Sequence, residues 1–236
     1  MANSGKVAII TGASHGIGAG LVAGYLRAGY AVVGTARTMP STSSPDLLSV
    51  EGDITDPETP RRIVELTLER YGRIDTLIND AGIYIGKPFT EYTLDEYTAM
   101  TAVNLKGFFL ITQSVIGPMV TQGGGHIVNV STSLVDQADS TRPSALAVLT
   151  KGGLAAVTRS LAMEYASRGV RANAVSLGVI KTPEQDPTSY DSLAALHPLG
   201  RVGEVDDVVE GILYLERATF VTGETLHIDG GQSAGH

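Results

Sequence analysis

Short apolar runs alternate along the chain with longer segments of helical periodicity. The first run, residues 6–10, is β-branched and ends at a glycine turn, after which the apolar positions of residues 17–26 recur at helical spacing. Six more runs of this kind follow, at residues 30–36, 47–53, 74–80, 125–131, 170–176 and 224–229. Strands that alternate with helices form parallel sheets covered on both faces. The pattern predicts an α/β fold, a single-domain Rossmann-like doubly wound parallel sheet with ligands at the carboxyl ends of its strands.

Four periodic segments between the later strands predict helices, at residues 56–72, 93–121, 143–168 and 204–216. Asp56 precedes Pro57 at the first of them, an arrangement typical of a helix start. Residues 37–46 contain two prolines and several serines, so the second crossover is expected to be a loop. Residues 182–198 form a proline-flanked insertion that is expected to act as a substrate lid. No repeat or linker divides residues 1–236, so one domain is expected.

Composition narrows the classes of function. The 236 residues carry a formal net charge of −8, which disfavours a nucleic-acid partner. There is no cysteine and the five histidines lack a metal-ligand spacing, so neither disulfides nor a metal site are expected. The N-terminal apolar run of four residues is too short for a signal peptide or a membrane span. We therefore expect a cytoplasmic protein that acts on a small molecule away from membranes.

A glycine-rich turn, TGASHGIG at residues 11–18, joins the first predicted strand to the first helix. Gly12, Gly16 and Gly18 allow a sharp turn whose backbone N–H groups face a pyrophosphate. The turn predicts a dinucleotide site, and a tight turn without a ligand is the alternative for such a permissive motif.

Five sequence blocks, taken in order, resemble the short-chain dehydrogenase/reductase family over nearly the whole chain. They are TGASHGIG, NDAG at 79–82, VNLKG at 103–107, HIVNVS at 126–131 and VTGETLHIDGG at 221–231. The resemblance implies one NAD(P)-binding oxidoreductase domain. The residues that it assigns to the cofactor are Gly12, Ser14, His15, Gly16, Ile17, Gly18, Arg37, Asp53, Ile54, Asn79, Ala81, Gly82, Lys151, Ile180 and Thr182.

Within that set the family pattern distinguishes the two ends of the cofactor. Asp53 and Ile54 are implied to reach the adenine, and Ile180 and Thr182 the nicotinamide carboxamide. The family usually has Pro-Gly in the loop before Ile180, and this chain has Leu177 and Gly178. A looser turn is expected there.

The end of the second strand decides which nicotinamide cofactor is expected. An acidic residue there accepts the ribose 2′-hydroxyl, and a basic one accepts a 2′-phosphate. The chain has Ala36 followed by Arg37, whose guanidinium suits phosphate, so NADP(H) is favoured over NAD(H). His15 in the glycine turn is a further donor. An ordinary solvated arginine at position 37 is the alternative.

The resemblance also implies an active site of Asn, Ser, Tyr and Lys, in which the tyrosine donates the proton. Asn104 and Lys151 match their blocks. The tyrosine is expected four residues before the lysine, on the same helix face, and the chain has Ala147 there. The serine position falls on Thr132, with Ser133 next to it, and either hydroxyl can polarise an acceptor.

The missing acid is not recovered by shifting the alignment, because residues 131–164 contain no tyrosine. Tyr84, two residues beyond NDAG, is the first candidate for a replacement acid. Tyr190 in the lid and Asp136 after the hydroxyl pair rank below it. Each tyrosine also has an ordinary interpretation as an amphipathic aromatic on a pocket wall. Ala147 is either natural or engineered.

Two functions fit this sequence. The first is an NADP(H)-dependent oxidoreductase that transfers hydride to or from a small carbonyl, imine or activated alkene. Loss of a general acid costs about 10²- to 10⁴-fold in rate, but an iminium ion accepts hydride without one. The second is a catalytically silent NADP(H)-binding sensor or scaffold protein. Lys151 suits both, because the resemblance also gives it a role in holding the cofactor ribose.

The predicted helix at residues 143–168 carries an apolar stripe, Leu154, Val157, Leu161 and Tyr165, flanked by alanines. Core packing explains such a stripe, and so does contact with another subunit. The family resemblance implies a homotetramer with two-fold interfaces.

Overall fold

The computed structural model describes residues 5–40, 44–183, 185 and 187–235. In these ranges seven parallel strands form one sheet, in the order β3-β2-β1-β4-β5-β6-β7. From β1 to β7 the strands are Val7–Thr11, Ala31–Ala36, Leu47–Glu51, Thr76–Asn79, Gly125–Thr132, Val170–Leu177 and Thr225–Ile228. The strand order reverses between β1 and β4, which is the switch point of a doubly wound sheet. The predicted Rossmann-like fold is confirmed.

Helices cover both faces of this sheet. Those of the described ranges are α1 Gly16–Arg27, α2 Glu58–Tyr71, α3 Leu94–Thr101, α4 Phe108–Thr121, α5 Ala145–Tyr165, α6 Tyr190–Ala194 and α7 Val205–Arg217. The helix predicted at 93–121 is interrupted by a π-helical segment, Ala102–Gly107, between α3 and α4. The helix predicted at 143–168 begins two residues late, and its last residues form a 3-10 turn at Ala166–Arg168. Both differences occur where local hydrogen bonding changes within a continuous apolar pattern.

The second crossover and the start of α2 agree with the sequence pattern. Residues 37–40 and 44–46 contain no helix, and the prediction for residues 41–43 falls outside the described ranges. Asp56 Oδ1 accepts the backbone N–H of Glu58 at 3.1 Å, which satisfies a free donor at the start of α2.

The sheet separates two apolar cores because successive strand residues point to opposite faces. On one face Ile9 packs with residues of α2, α4 and α5. On the other face Ile10 packs with residues of α1 and α7. Helices α1 and α7 approach closely at a glycine, since a Cβ on Gly24 would lie 2.4 Å from Val209 Cγ1. A larger residue at position 24 would push α1 and α7 apart.

The helical segment Leu94–Thr121 is long and apolar enough, by length and composition alone, to cross a membrane. In its second half Ile111, Val115 and Met119 are fully buried and belong to the core beside the sheet. This packing accounts for part of the apolar character of the segment, while Leu94 and Phe109 are exposed.

The predicted lid, residues 182–198, contains a 3-10 turn at Pro187–Ser189 and the short helix α6, while Glu184 and Asp186 lie outside the described residues. His197 fastens its carboxyl end to the sheet, because Val179 N donates to His197 Nε2 at 3.1 Å. The other ring nitrogen, Nδ1, donates to Leu193 O at 3.0 Å. The segment is therefore held beside the carboxyl end of β6.

Candidate active site

Two adjoining cavities open at the carboxyl ends of the central strands, where doubly wound sheets bind ligands. The first, called the groove, has a volume of about 630 Å³ and lies between the ends of β1, β2 and β4. The second, called the inner cavity, has a volume of about 590 Å³ and lies between the end of β5, α5 and the lid. The two cavities meet along their shared wall residues His15, Gly82 and Ile83.

The groove brings together most of the residues that the sequence assigned to the cofactor. Those in its wall are Gly12, Ser14, His15, Arg37, Asp53, Ile54, Ala81 and Gly82. Gly12 and Gly16 have φ of +73° and +54°, which favour glycine, and a Cβ on Gly18 would lie 2.2 Å from Gly12 O. Gly16 and Gly18 thus shape the glycine turn and are not part of the groove wall. Ile17 lies on the side of the inner cavity.

Arg37 lies at the end of the groove beside Asp53. Backbone and side-chain hydrogen bonds from Thr55 lower the pKa of Asp53, and the charge of Arg37 contributes to the same shift. Arg37 is exposed and, within the described part of the chain, its guanidinium has neither a hydrogen bond nor an ion pair. Ala36 before it adds no carboxylate. The Arg37 guanidinium therefore has donors available to a ligand, with the carboxyl of Asp53 in the same wall.

Asn79 lies beneath the groove and is absent from its wall. Its side chain is buried, and Nδ2 donates to Thr112 Oγ1 at 3.0 Å and to Asn129 Oδ1 at 2.9 Å. These bonds hold the end of β4 against β5. Asn79 therefore supports the groove through the backbone that follows it.

Asn104 occupies the π-helical segment and is fully engaged by the protein. Its Oδ1 accepts Ile83 N at 2.9 Å, while Nδ2 donates to Ile83 O and to Thr150 Oγ1, both at 3.0 Å. The side chain is 1% exposed. Asn104 thereby fixes the loop after β4 to α5, one residue from Lys151.

Lys151 reaches the junction between the two cavities. Its Nζ donates to Val130 O at 2.9 Å, and a Cβ on Gly82 would lie 2.8 Å from the same Nζ. Burial lowers the pKa of the Lys151 ammonium group, and the nearby carboxyl of Asp80 opposes that shift. The lysine thus places a positive charge at the position where the groove meets the inner cavity.

Position 147 lies on the wall of the inner cavity, one helical turn before Lys151. Ala147 is 2% exposed and belongs to an apolar cluster with Met100 and Leu146, against which Ile83 and Tyr92 pack. Neither a hydroxyl nor a carboxyl replaces the missing group at this point of the wall. The cavity is apolar where a proton donor was expected.

The two candidate hydroxyls have different surroundings. Ser133 Oγ donates to Gln232 Oε1 at 2.9 Å and the residue is 1% exposed. Thr132, at the end of β5, lines the inner cavity and its Oγ1 accepts only a long bond of 3.4 Å from Leu134 N. Thr132 is therefore the hydroxyl better placed to polarise a substrate.

Of the three candidate replacement acids, only Tyr84 lines the inner cavity. Its OH lies 2.7 Å from Ser144 Oγ, and Ser144 Oγ donates to Arg142 O, so the tyrosine hydrogen points to the serine. Tyr190 OH instead donates to Thr182 O at 3.4 Å. Asp136 accepts from Ser176 and His227 away from the cavity.

Ile180 and Thr182, which were assigned to the nicotinamide end, line the inner cavity as expected. The loop before them is close-packed, because a Cβ on Gly178 would lie 2.7 Å from His197 Nε2. The substitution of Leu177 for the usual proline thus leaves a tightly packed turn, and the expected loosening is not seen.

Asp80 is a cavity residue that the sequence reasoning missed. Burial raises the pKa of its carboxyl to about 7, although the charge of Lys151 favours ionisation. Its Oδ2 lies against the glycine turn, where a Cβ on Gly18 would come within 2.9 Å. The only sequence signal was its position in NDAG, between two residues already assigned to the site.

Comparison with known proteins shows similarity over nearly the whole chain. The model of the family described as enoyl-(acyl carrier protein) reductase matches residues 12–233. The 3-oxoacyl-(acyl-carrier-protein) reductase FabG of Thermotoga maritima is 34% identical, over 96% of this chain and 97% of that protein. Glucose 1-dehydrogenase of Gluconobacter oxydans is 31% identical, over 97% and 92% of the two chains.

Solved structures show the same extent of similarity. ElxO with NADP bound has a TM-score of 0.91 at 29% identity, covering 98% of this chain and 99% of that one. A 3-ketoacyl-(acyl-carrier-protein) reductase of Brucella melitensis complexed with NADH has a TM-score of 0.89 at 30% identity, covering 97% and 98%. A tyrosine-to-phenylalanine variant of ElxO has been solved with NADPH bound.

Proposed function

Because the chain belongs to the short-chain dehydrogenase/reductase family of oxidoreductases, we propose that it is an NADP(H)-dependent member with an atypical active site. It transfers hydride to or from a small carbonyl, imine or activated alkene. The observation that carries the proposal is the inner cavity itself, which places Lys151 and Thr132 beside an apolar wall at Ala147. Residues 1–236 act as one catalytic domain, with residues 182–198 as its lid.

The preference for NADP(H) rests on Arg37. Solved relatives hold NADP in one case and NADH in another, so similarity alone supports either nicotinamide cofactor. The unpaired guanidinium at the end of the groove fits a 2′-phosphate, and Ala36 brings no repelling carboxylate. When bound, the reduced cofactor supplies the hydride.

The chain's own residues position the reactants. Lys151, held by Val130 O, presents its ammonium group to the ribose end of the groove. Thr132 donates its hydroxyl hydrogen to the oxygen of a carbonyl substrate or to the nitrogen of an imine that is not yet protonated. Asn104 keeps the loop after β4 fixed against α5, which maintains the distance between these groups.

The proton balance determines which substrates are fast. Reduction of a ketone adds a hydride and a proton, and the wall at Ala147 provides no proton donor. Losing a general acid costs about 10²- to 10⁴-fold in rate. A protonated imine already carries its proton, so its reduction avoids that cost. Cyclic imines are therefore reduced faster than ketones of matched shape.

The experiment has two stages. NADPH binding is measured by fluorescence, and NADPH consumption is then followed over matched ketones, cyclic imines and enones. Preferential imine turnover supports the proposal. Fast ketone turnover that is lost in Tyr84→Phe identifies Tyr84 as the replacement acid. The control is Tyr214→Phe, at an exposed position of α7, which is expected to retain that turnover. Binding without consumption assigns the protein to the sensor or scaffold class, and absence of binding refutes both functions.

We also propose that the protein is a homotetramer, which exposed residues outside the predicted stripe on α5 support. Leu154, Leu161 and Tyr165 pack into the core on the α5 side of the sheet, which explains the stripe within one chain. Phe109 on α4 and Met163 on α5 are 55% and 84% exposed and provide apolar surface for a partner copy. Light scattering of the purified protein tests this assembly, which Phe109→Asp is expected to weaken.

A further inference from the structure

We propose that the inner cavity selects substrates with a carboxylate next to the reducible bond, and that Arg142 pairs with this carboxylate. The inference rests on the proposed reductase function and adds the substrate class. Arg142 lies on the connection between β5 and α5, lines the inner cavity and is half-buried. In the described ranges no hydrogen bond or ion pair engages its guanidinium, so its donors are available to a ligand in the cavity.

The backbone around Arg142 is held firmly against the cavity. Arg142 N donates to Asp139 O at 3.2 Å. Arg142 O accepts Ser144 Oγ at 2.7 Å, and that oxygen is bonded in turn to Tyr84 OH. The anchored backbone fixes the origin of the arginine side chain at the cavity wall. A positioned guanidinium suits the two oxygens of a carboxylate, which it binds through parallel hydrogen bonds.

Asp139, a carboxylate on the same connection, bonds locally through one oxygen and forms no ion pair with Arg142, while its buried Oδ2 has no hydrogen-bond partner in the described ranges. Asp139 Oδ1 accepts both Thr141 N at 2.8 Å and Thr141 Oγ1 at 2.7 Å. These bonds lower the pKa of Asp139, and the charge of Arg142 is the smallest contribution to that shift. An internal ion pair therefore does not neutralise Arg142.

The charge balance of the cavity wall also favours an anion. Arg142 and Lys151 are its cations, and Asp80 is the one carboxyl in the described wall. Burial raises the pKa of Asp80 to about 7, so this carboxyl is largely protonated in mildly acidic solution. The wall thus carries net positive charge within a protein whose formal net charge is −8. A neutral or cationic substrate would leave Arg142 without a partner.

Other residues of the cavity wall indicate what the rest of the substrate is. Ala147 and Leu134 give the cavity apolar walls for a compact hydrocarbon ring. Gln185 lines the cavity, and its Oε1 is buried without a hydrogen-bond partner, so rotation of this side chain offers an acceptor to a donor such as the N–H of a protonated imine. A small cyclic imine that bears a carboxylate matches both groups.

A binding experiment tests the selection without relying on turnover. Isothermal titration of the NADPH complex, in a buffer without phosphate, compares cyclopentanecarboxylate with its neutral isostere cyclopentanecarboxamide. We expect the carboxylate to bind about tenfold to a hundredfold more tightly, which is the range for hydrogen bonds to a charged group. Arg142→Gln removes that preference, whereas Arg159→Gln, exposed on α5 and outside the cavity wall, retains it.

Turnover provides the second measurement, with 1-pyrroline-2-carboxylate and 2-methyl-1-pyrroline as the matched pair. In Arg142→Gln the KM for the carboxylate rises by a similar factor, and the KM for the neutral imine is unchanged. Equal binding of acid and amide, or a preference that survives in Arg142→Gln, overturns the proposal. Weaker NADPH binding in Arg142→Gln also overturns it, because Arg142 would then serve the cofactor. Carboxylate selection without reduction of either imine supports the site and refutes the reductase function.

Discussion

The two ends of the sheet treat their polar groups in opposite ways. At the amino ends of β4, β5 and β6, buried polar side chains converge on one carboxylate, Glu216, and satisfy one another. At the carboxyl ends, Arg37 and Arg142 line cavities without a hydrogen bond or ion pair in the described part of the chain, and the buried Gln185 Oε1 has no hydrogen-bond partner. Polar side chains gather at both ends of the sheet, and those at the carboxyl ends are the ones available to ligands.

Glu216 is the centre of the amino-end cluster. Its Oε2 accepts His126 Nδ1 and Thr76 Oγ1, both at 3.0 Å, and Tyr25 OH at 3.3 Å. Its Oε1 accepts Tyr30 OH at 3.3 Å. Burial would raise the pKa of Glu216, but the bonds from His126 and Thr76 hold it below its usual value.

The histidine of this cluster is held neutral. Burial lowers the pKa of His126, which opposes protonation of the ring. Asn173 Nδ2 donates to Nε2 at 3.0 Å, so the hydrogen of the neutral ring lies on Nδ1, where it meets Glu216. A network in which every member has its partner rigidifies the fold and leaves nothing for a ligand. The contrast teaches that unsatisfied groups, rather than buried polarity as such, mark the binding end.

The largest expected effect comes from restoring a proton donor at position 147, at the carboxyl end of the sheet. Ala147→Tyr restores a hydroxyl one turn before Lys151, and we expect the kcat for a ketone to rise by about 10²- to 10⁴-fold. Ala147→Phe is the matched control, because it fills the same space without a proton donor. Filling a site that is 2% exposed strains the cluster around Met100, so unfolding curves accompany the kinetics. Equal ketone rates in the two variants would mean that the missing acid is not what limits turnover.

Removal of Glu216 from the cluster at the amino ends of the strands has the next largest effect, which is on stability. Glu216→Ala leaves His126, Thr76 and two tyrosine hydroxyls without their acceptor, and we expect the free energy of unfolding to fall by about 3–5 kcal/mol. The exposed Glu210→Ala on the same helix is expected to change it by less than about 0.5 kcal/mol. Urea denaturation measures both values. Because the cluster is remote from the cavities, NADPH affinity of the folded variant is unchanged, and a large loss of affinity would show that the two ends are coupled.

The same contrast explains what the sequence revealed. Strands and helices follow apolar periodicity, so the fold was predictable, whereas the assignment of Lys151, Thr132 and Ala147 to a site came from the family resemblance. The Glu216 cluster joins residues far apart in the chain, and no local pattern marks their convergence. The same holds for Asp80, whose pKa depends on burial by the glycine turn. Thr132 and Ser133 were indistinguishable in sequence because both line the inner cavity, and only the bond of Ser133 Oγ to the distant Gln232 separates them.

The buried carboxyl of Asp80, at the carboxyl end of the sheet, is expected to make the free energy of unfolding depend on pH. Its folded pKa of about 7 lies above the ordinary value, so between pH 4 and pH 7 the folded protein holds a proton that the unfolded chain has released. The free energy of unfolding therefore falls as pH rises through this window. We expect Asp80→Asn to flatten this dependence by about 2 kcal/mol, roughly half the value of the full shift, because Asp80 retains some contact with water. Thermal or urea unfolding at pH 5 and pH 8 measures it, with exposed Asp95→Asn as the control. An unchanged slope in Asp80→Asn would place the titrating group elsewhere.

Arg37 gives the smallest effect and the most selective one. If its free guanidinium receives the 2′-phosphate, Arg37→Gln weakens NADPH binding about tenfold, or roughly 1.4 kcal/mol, and leaves NADH binding unchanged. Ala36→Asp acts in the opposite sense, because a carboxylate at the end of β2 repels the phosphate and accepts the 2′-hydroxyl of NADH. Fluorescence titration of both cofactors against each variant measures the ratio of the two dissociation constants, and raising the salt concentration reduces the Arg37 contribution. If Arg37→Gln weakens both cofactors equally, this arginine acts on a part they share, and the open end of the sheet would not discriminate between them.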